Sequence, residues 1–286
     1  MILTVASGKG GTGKTTVAVN MALSLASNSE EQRLLFLDCD VEEPNAHLFL
    51  KPIITEREAV DILIPQVDET RCAHHGRCTQ ACQFHAIAAL PDTTLVFPEL
   101  CHGCGGCLLA CPEHAISEQP HQIGVIEAGH AGRIRFAHGI LNIGEPMATP
   151  VIRRLKRMIT NDHDMAILDA PPGTACPVVE SMRGADFVLL VTEPTPFGLH
   201  DLRLAVEVAR DELGIPVGVL VNHDGIGDAG VDEYCSSEGI PILMRIPLDR
   251  RIAEAYSEGI PLVEALPEYR HRFTDLVSRI ETEARR

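Results

Sequence analysis

The sequence predicts an α/β protein built on a mostly parallel sheet, interrupted by a small insert of different character. Three observations predict it. Continuous apolar runs alternate with helical patterns through 1–65 and again through 123–286. A glycine-rich loop joins the first run to the first helix, and the stretch 66–122 holds seven of the 10 cysteines and no lysine. Alternating strand and helix is the pattern of parallel sheets with right-handed crossovers.

The strand candidates are 2–6, 34–38, 165–169, 187–191, 217–221 and 242–246. They are unbroken apolar runs, as strands covered on both faces should be. Helical patterns occupy 14–26, 149–160, 199–213 and 269–284. Gly214, Gly239 and Gly259 stand just past helical segments, where a left-handed cap is wanted. The last helix lines up Phe273, Leu276, Val277 and Ile280, and with its mixed charge and no Trp it should pack on the core rather than on a membrane.

Composition narrows the function classes. Hydrophobic residues make up 45% and charged residues 22% of the 286, which is ordinary for a globular chain. With 24 Lys+Arg against 40 Asp+Glu the formal charge is -16, so phosphate backbones and anionic lipid should repel it. Neither nucleic-acid binding nor a stable membrane anchor is expected. No apolar run approaches the roughly 20 residues of a membrane helix. The opening MILTVASGKGG lacks the basic segment of a signal peptide, and a cytoplasmic protein is expected. Cysteines there stay reduced, and clustered thiols point to metal.

The first chemistry is phosphate binding. Gly8-Lys9-Gly10-Gly11-Thr12-Gly13-Lys14-Thr15 fits G-x-x-x-x-G-K-[ST], directly after a strand and opening a helix. Glycines let backbone N–H groups close round a phosphate, and the helix N-terminus adds a positive end. Gly10, Gly11, Thr12, Gly13, Lys14, Thr15 and Thr16 are the nucleotide-binding candidates, with Lys14 on the β- and γ-phosphates and Thr15 on Mg²⁺. Asp38, Asp40 and Asp169 lie at strand ends, where a carboxylate serves either a metal ion or the cap of a following turn.

The second chemistry is iron–sulfur. Cys101-x₂-Cys104-x₂-Cys107-x₃-Cys111-Pro112 has bacterial ferredoxin spacing, whereas zinc sites usually use two separated pairs. The stretch also repeats at an offset of 29: Cys72, Cys78 and Cys82 map onto Cys101, Cys107 and Cys111, and His85-Ala-Ile onto His114-Ala-Ile. In two-cluster ferredoxins the fourth cysteine of each run ligates the other cluster. That groups Cys82, Cys101, Cys104 and Cys107 at one cluster, and Cys72, Cys78 and Cys111 at the other. His75 stands where a counterpart of Cys104 is due. Three readings stay open: a [4Fe–4S] cluster with His75 or a non-protein fourth ligand, a [3Fe–4S] cluster, or a degenerate site. His74 could substitute for His75, but is expected in solvent. Cys39, Cys176 and Cys235 read as small buried residues.

The second lysine of the loop, Lys9, gives it the form K-G-G-x-G-K-[ST], which resembles the deviant Walker A of the MinD/ParA/nitrogenase-iron-protein superfamily. The whole chain resembles SIMIBI/MinD-like P-loop NTPases with an inserted α+β ferredoxin-like domain, through 38–45, 142–147, 192–201 and 246–256 as well as the loop. The resemblance implies ATP/ADP and Mg²⁺ as ligands and a role for each residue. Lys9 would reach the nucleotide of a facing subunit, Asp40 would orient or activate water, and Asp38 would support Mg²⁺. Asp169 would hold a metal-bound water, Gly173 would offer its N–H to the γ-phosphate, Asn222 would read adenine and Pro247 would pack on the base. It further implies a homodimer, or a heterodimer with a sister ATPase as among relatives associated with the orange-protein complex, and a redox or metal-cluster partner. The expected function is ATP-gated electron transfer. Its alternatives are a cluster assembly or carrier ATPase like the Mrp branch, whose C-x-x-C is missing from the C-terminal half here, and a MinD/ParA-like positioning ATPase with redox-sensing clusters.

Overall fold

The computed structural model describes residues 1–28 and 32–285. Arg286, the last residue of the expected ATPase part, lies outside the described residues. The strands are β1 (Ile2–Ala6), β2 (Leu34–Asp38), β3 (Ile53–Val67), β4 (Ile87–Ala89), β5 (Thr94–Val96), β6 (Ile116–Ala131), β7 (Ile134–Leu141), β8 (Met165–Asp169), β9 (Phe187–Thr192), β10 (Val217–Asp224) and β11 (Ile242–Pro247). The helices are α1 (Lys14–Asn28), α2 (Ala46–Leu50), α3 (Arg77–Ala81), α4 (Gly106–Ala110), α5 (Thr149–Lys156), α6 (Cys176–Met182), α7 (Pro196–Val206), α8 (Gly230–Ser237), α9 (Arg250–Ser257), α10 (Leu262–Ala265) and α11 (Tyr269–Glu283).

Nine strands form one sheet in the order β11-β10-β9-β1-β8-β2-β7-β6-β3. From β11 to β7 every neighbouring pair is parallel, and only β7–β6 and β6–β3 are antiparallel. Strands β1, β2, β8 and β9 are apolar because both faces are covered: Leu3, Phe36, Ile167 and Leu189 pack on one side, and Leu37, Leu168 and Leu190 on the other. Helix α11 lays Phe273, Leu276, Val277 and Ile280 into the first of these clusters. Gly214, Gly239 and Gly259 all take positive φ after their helices.

Two expectations of local structure needed correction. The helix expected over 149–160 stops at Lys156, and that over 199–213 begins at Pro196, becoming a π-helix over Glu207–Glu212. Strands β3, β6 and β7 were not foreseen. β3 is an edge strand, mostly exposed and carrying Pro65, while β6 carries Pro120, so neither presents the apolar run that marks a buried strand.

The β3–β6 ribbon pairs from Ile53↔His130 to Val67↔Ile116, crossing both boundaries that composition suggested, at 65/66 in register and at 122/123 through a register shift between Val60↔Gly124 and Asp61↔Gln122. Its far end carries a tip with internal two-fold order. The pairs Ile87↔Val96 and Ala89↔Thr94 of β4–β5 repeat as Ile116↔Val67 and Glu118↔Pro65 of β6–β3. Helix α3 repeats as α4, each entered through a left-handed glycine, Gly76 or Gly105. The 29-residue repeat is therefore a structural duplication.

Candidate functional site

The C-terminal ends of β1, β8 and β2 lie side by side, with Val5 in register with Asp169 and Asp169 with Asp38. Open parallel sheets bind ligands at such an edge. The loop after β1 turns into α1 through Gly11 and Gly13, at φ 78° and 91°. Neither angle suits a side chain. Gly8 must also lack one, since a Cβ there would lie 2.2 Å from the Asp201 carbonyl oxygen. Lys14 and Thr12 are buried, and the Thr12 hydroxyl has no hydrogen-bond partner among the described residues.

Three carboxylates converge on this loop. Asp169 is fully buried, and neither of its oxygens accepts a hydrogen bond among the described residues. Burial pushes its carboxyl up to about 7, against the pull of the Lys14 charge. Burial also raises Asp40, again opposed by Lys14. A buried, unpartnered anion beside a phosphate loop is costly unless a cation meets it. The donor set, Asp169 with the Thr15 hydroxyl, fits a hard cation such as Mg²⁺.

Asp38 does something else. Burial and then Asp169 drive its pKa well above the ordinary carboxylate value, and its oxygens are taken by the N–H groups of Asp40 at 3.1 Å, Asn45 at 3.0 Å and Ala46 at 3.0 Å. It anchors the loop that carries Asp40, and support for Mg²⁺ from Asp38 would run through that loop.

Other expected residues are also engaged locally. Gly173 donates its N–H to the Ser7 carbonyl at 3.1 Å, tying the two loops together. Asn222 Nδ2 donates to the Thr12 carbonyl at 2.9 Å, so this side chain braces the phosphate loop. Pro247 ends β11, exposed, and pairs in register with Asp224. Thr16 lies in the first turn of α1, its carbonyl accepting from Asn20 Nδ2 at 2.7 Å. Lys9 turns to Glu193, with Nζ 2.9 Å from Oε2, while Glu193 Oε1 meets His223 Nδ1 at 3.0 Å. Glu193 and His223 were missed by sequence reasoning, although Glu193 sits just past the end of β9, in a segment already matched by resemblance.

The tip holds two cavities. Cys82, Cys101, Cys104 and Cys107 line one, together with Phe84 and His102, whose rings stack at 3.6 Å. Cys72, Cys78 and Cys111 line the other, with both His74 and His75. Each cavity thus takes cysteines from both halves of the repeat. Backbone N–H groups point at the sulfurs: Ala86 at Cys82 (3.3 Å), Ala115 at Cys111 (3.4 Å) and Gly103 at Cys101 (3.5 Å). Burial, the first cause in each case, raises Cys101 and pushes Cys107 up to about 11, so positive charge must offset the thiolates. Four thiols lining one cavity, with amide donors aimed at Cys82 and Cys101, fit an iron–sulfur cluster. His75 is exposed, as is Cys104 at the matching position. His74 corrects the expectation of a solvated ring: it is largely covered and faces Cys72, Thr94 and Glu69. Cys39 and Cys235 are buried as expected, whereas Cys176 is exposed.

A phosphate loop on a parallel sheet, with acidic strand ends beside it, defines a P-loop nucleotide-binding protein. The chain belongs to the CobQ/CobB/MinD/ParA nucleotide binding domain family, whose pattern residues 3–262 match. It is 30% identical to an uncharacterized protein of Methanocaldococcus jannaschii over 262 residues, 91% of this chain and 90% of the relative. An iron-sulfur cluster carrier protein of the same organism is 25% identical over 296 residues, covering 97% of this chain and 83% of that protein. The fold is similar to the septum site-determining protein MinD of Pyrococcus horikoshii complexed with Mg-ADP, at TM-score 0.60 and 20% identity, covering 98% of this chain and 95% of that one.

Proposed function

We propose that this protein is an ATP-hydrolysing dimeric switch, a homodimer or a heterodimer with a sister ATPase, whose nucleotide state gates electron transfer through two iron–sulfur clusters in the tip to a redox partner. One observation carries the coupling. Asp38, anchor of the loop beside the phosphate site, is in register with His138 on β7, and His138 Nε2 lies 3.1 Å from Glu127 on β6. Strand β6 then runs on, through a register shift between Gly124 and Gln122, into the cysteine-bearing tip. A shift of the Asp38–Asn45 loop therefore has a packed route to the cavities.

At the nucleotide, the loop N–H groups and Lys14 hold the phosphates, and Thr15 and Asp169 hold Mg²⁺, which when bound offsets their charge. Asp40 orients water on the γ-phosphorus. The new P–O bond forms as the bond to the β–γ bridging oxygen breaks, and the water gives up a proton to the departing phosphate oxygens or solvent, leaving ADP and phosphate. Lys9 leaves Glu193 to reach the facing subunit's nucleotide. In the tip, Cys82, Cys101, Cys104 and Cys107 hold one cluster, and Cys72, Cys78 and Cys111 hold the other, with His75 in register for the fourth position. Bound clusters supply one-electron storage.

A second reading, a cluster assembly or carrier ATPase, is favoured by the carrier relatives at 25–27% identity. Against it, the cysteines of the C-terminal half, Cys176 and Cys235, stand singly on α6 and α8. The test is ATP turnover measured anaerobically with the clusters oxidised and then reduced. Gating predicts different rates. Equal rates, with iron and sulfide passed to an apo-acceptor, would favour the carrier.

A further inference from the structure

The two halves of the tip differ at one cysteine. Cys72 Sγ lies 3.4 Å from Thr94 Oγ1 and 3.7 Å from His74 Nδ1, both hydrogen-bonding distances to sulfur. Glu69 holds the pair in place: Oε2 is 3.5 Å from His74 Nε2, and Oε1 accepts from Thr94 N at 2.8 Å and Thr93 Oγ1 at 3.3 Å. The 29-residue repeat carries Cys72 onto Cys101, His74 onto Gly103 and Glu69 onto Pro98, and Thr94 has Pro65 as its partner. Among the described residues Cys101 receives only the Gly103 N–H, at 3.5 Å, and none of those counterparts has a polar side chain. Gly103 takes φ 62°, and His74 holds φ 50° at the same place. A left-handed backbone is costly for a β-carbon residue, so the ring's contacts must offset it.

We propose that His74 and Thr94 donate hydrogen bonds to the Cys72 thiolate and thereby set the first cluster at a higher reduction potential than the second. Donors to a ligand sulfur stabilise the extra negative charge of a reduced cluster. Replacing a thiolate by His75 acts in the same direction. An electron shared between the clusters then rests on the first. With both clusters bound, one electron would pass from the reduced second to the oxidised first, with no bond or proton changing place, and His74 and Thr94 would favour that direction. His74 and Thr94 are positioning residues here. The inference rests on the cluster reading above.

The test is an anaerobic dithionite titration of the full chain followed by EPR, on wild type, His74→Gly, His74→Asn and Thr94→Val. His74→Gly copies the backbone of the matching half, and His74→Asn keeps a donor. The first cluster should be reduced before the second in wild type. His74→Gly and Thr94→Val should each lower its reduced-to-oxidised ratio at fixed potential by about tenfold, or 59 mV for one electron. His74→Asn should recover part of the shift, and the second cluster should stay unchanged. Unshifted potentials in both His74→Gly and Thr94→Val would overturn the proposal. So would loss of the first cluster's iron in His74→Gly with an unshifted Thr94→Val, which would make His74 a ligand. Wild type without iron would remove the cluster reading itself, and this inference with it.

Discussion

Replacing Gly13 by Ala probes the join between the phosphate loop and β10. Gly13 sits at φ 91°, and a Cβ there would lie 2.6 Å from Asn222 Nδ2. The left-handed conformation costs roughly 1–2 kcal/mol for a residue with a β-carbon. The clash also forces Asn222 off the Thr12 carbonyl, which it holds at 2.9 Å, and loses a bond worth about 1 kcal/mol. Together these reach about 2–3 kcal/mol. For a chain of this size that lowers the melting temperature by roughly 3–5 °C. Nucleotide affinity should fall at least ~30-fold, since the loop must regain its shape to bind. Urea denaturation and calorimetric titration with a non-hydrolysable ATP analogue measure both effects. Asn222→Ala removes the clashing amide, so the double variant should be less destabilised than the sum of the singles by about 1 kcal/mol. Gly11→Ala, at φ 78° with open space around it, should show the strain alone. Strict additivity, or a Gly13→Ala protein as stable as wild type, would refute the reasoning.

Further outcomes follow from the same geometry. Because burial holds Asp169 up to about 7, above its ordinary value of 3.8, the folded chain binds more protons than the unfolded one between those values, and metal-free stability falls as pH rises through them. Asp169→Asn should flatten that decline in urea melts with chelator at pH 5 and 8, while abolishing Mg²⁺-dependent hydrolysis; an unchanged pH profile would count against the buried anion. Glu193→Gln removes the partner of Lys9, an ion pair exposed enough to be worth less than about 1 kcal/mol, so stability should hold. Turnover at a fixed low protein concentration should rise several-fold if freed Lys9 favours the dimer, and an identical concentration dependence would refute that role. Cys107→Ser should remove the iron of one cluster and leave the other EPR signal, whereas Cys176→Ser should remove none.

Sequence spacing made local geometry legible. The phosphate loop, Asp40 and Asp169 are each fixed by a few adjacent residues at a strand end, and the buried parallel strands are apolar for the same reason that they are buried. The repeat of 29 could be read because each half folds alike. The ribbon could not, because β3 and β6 pair across some sixty residues with polar, proline-bearing faces. Long-range contacts were equally hidden. Lys9 meets Glu193 184 positions away, and Asn222 meets Thr12 across 210. The use of Asp38 on three backbone N–H groups depends on how its loop closes, and the inward turn of His74 on Glu69 and Thr94, which no spacing rule encodes.

The most direct test of coupling is the reduction potential of each cluster, measured anaerobically with and without a non-hydrolysable ATP analogue, beside the affinity for that analogue in oxidised and reduced protein. Linkage requires the two shifts to agree: a tenfold change in affinity must appear as a 59 mV change in a one-electron potential. Coupling predicts a matched, nonzero pair. Potentials and affinities that ignore each other would contradict it.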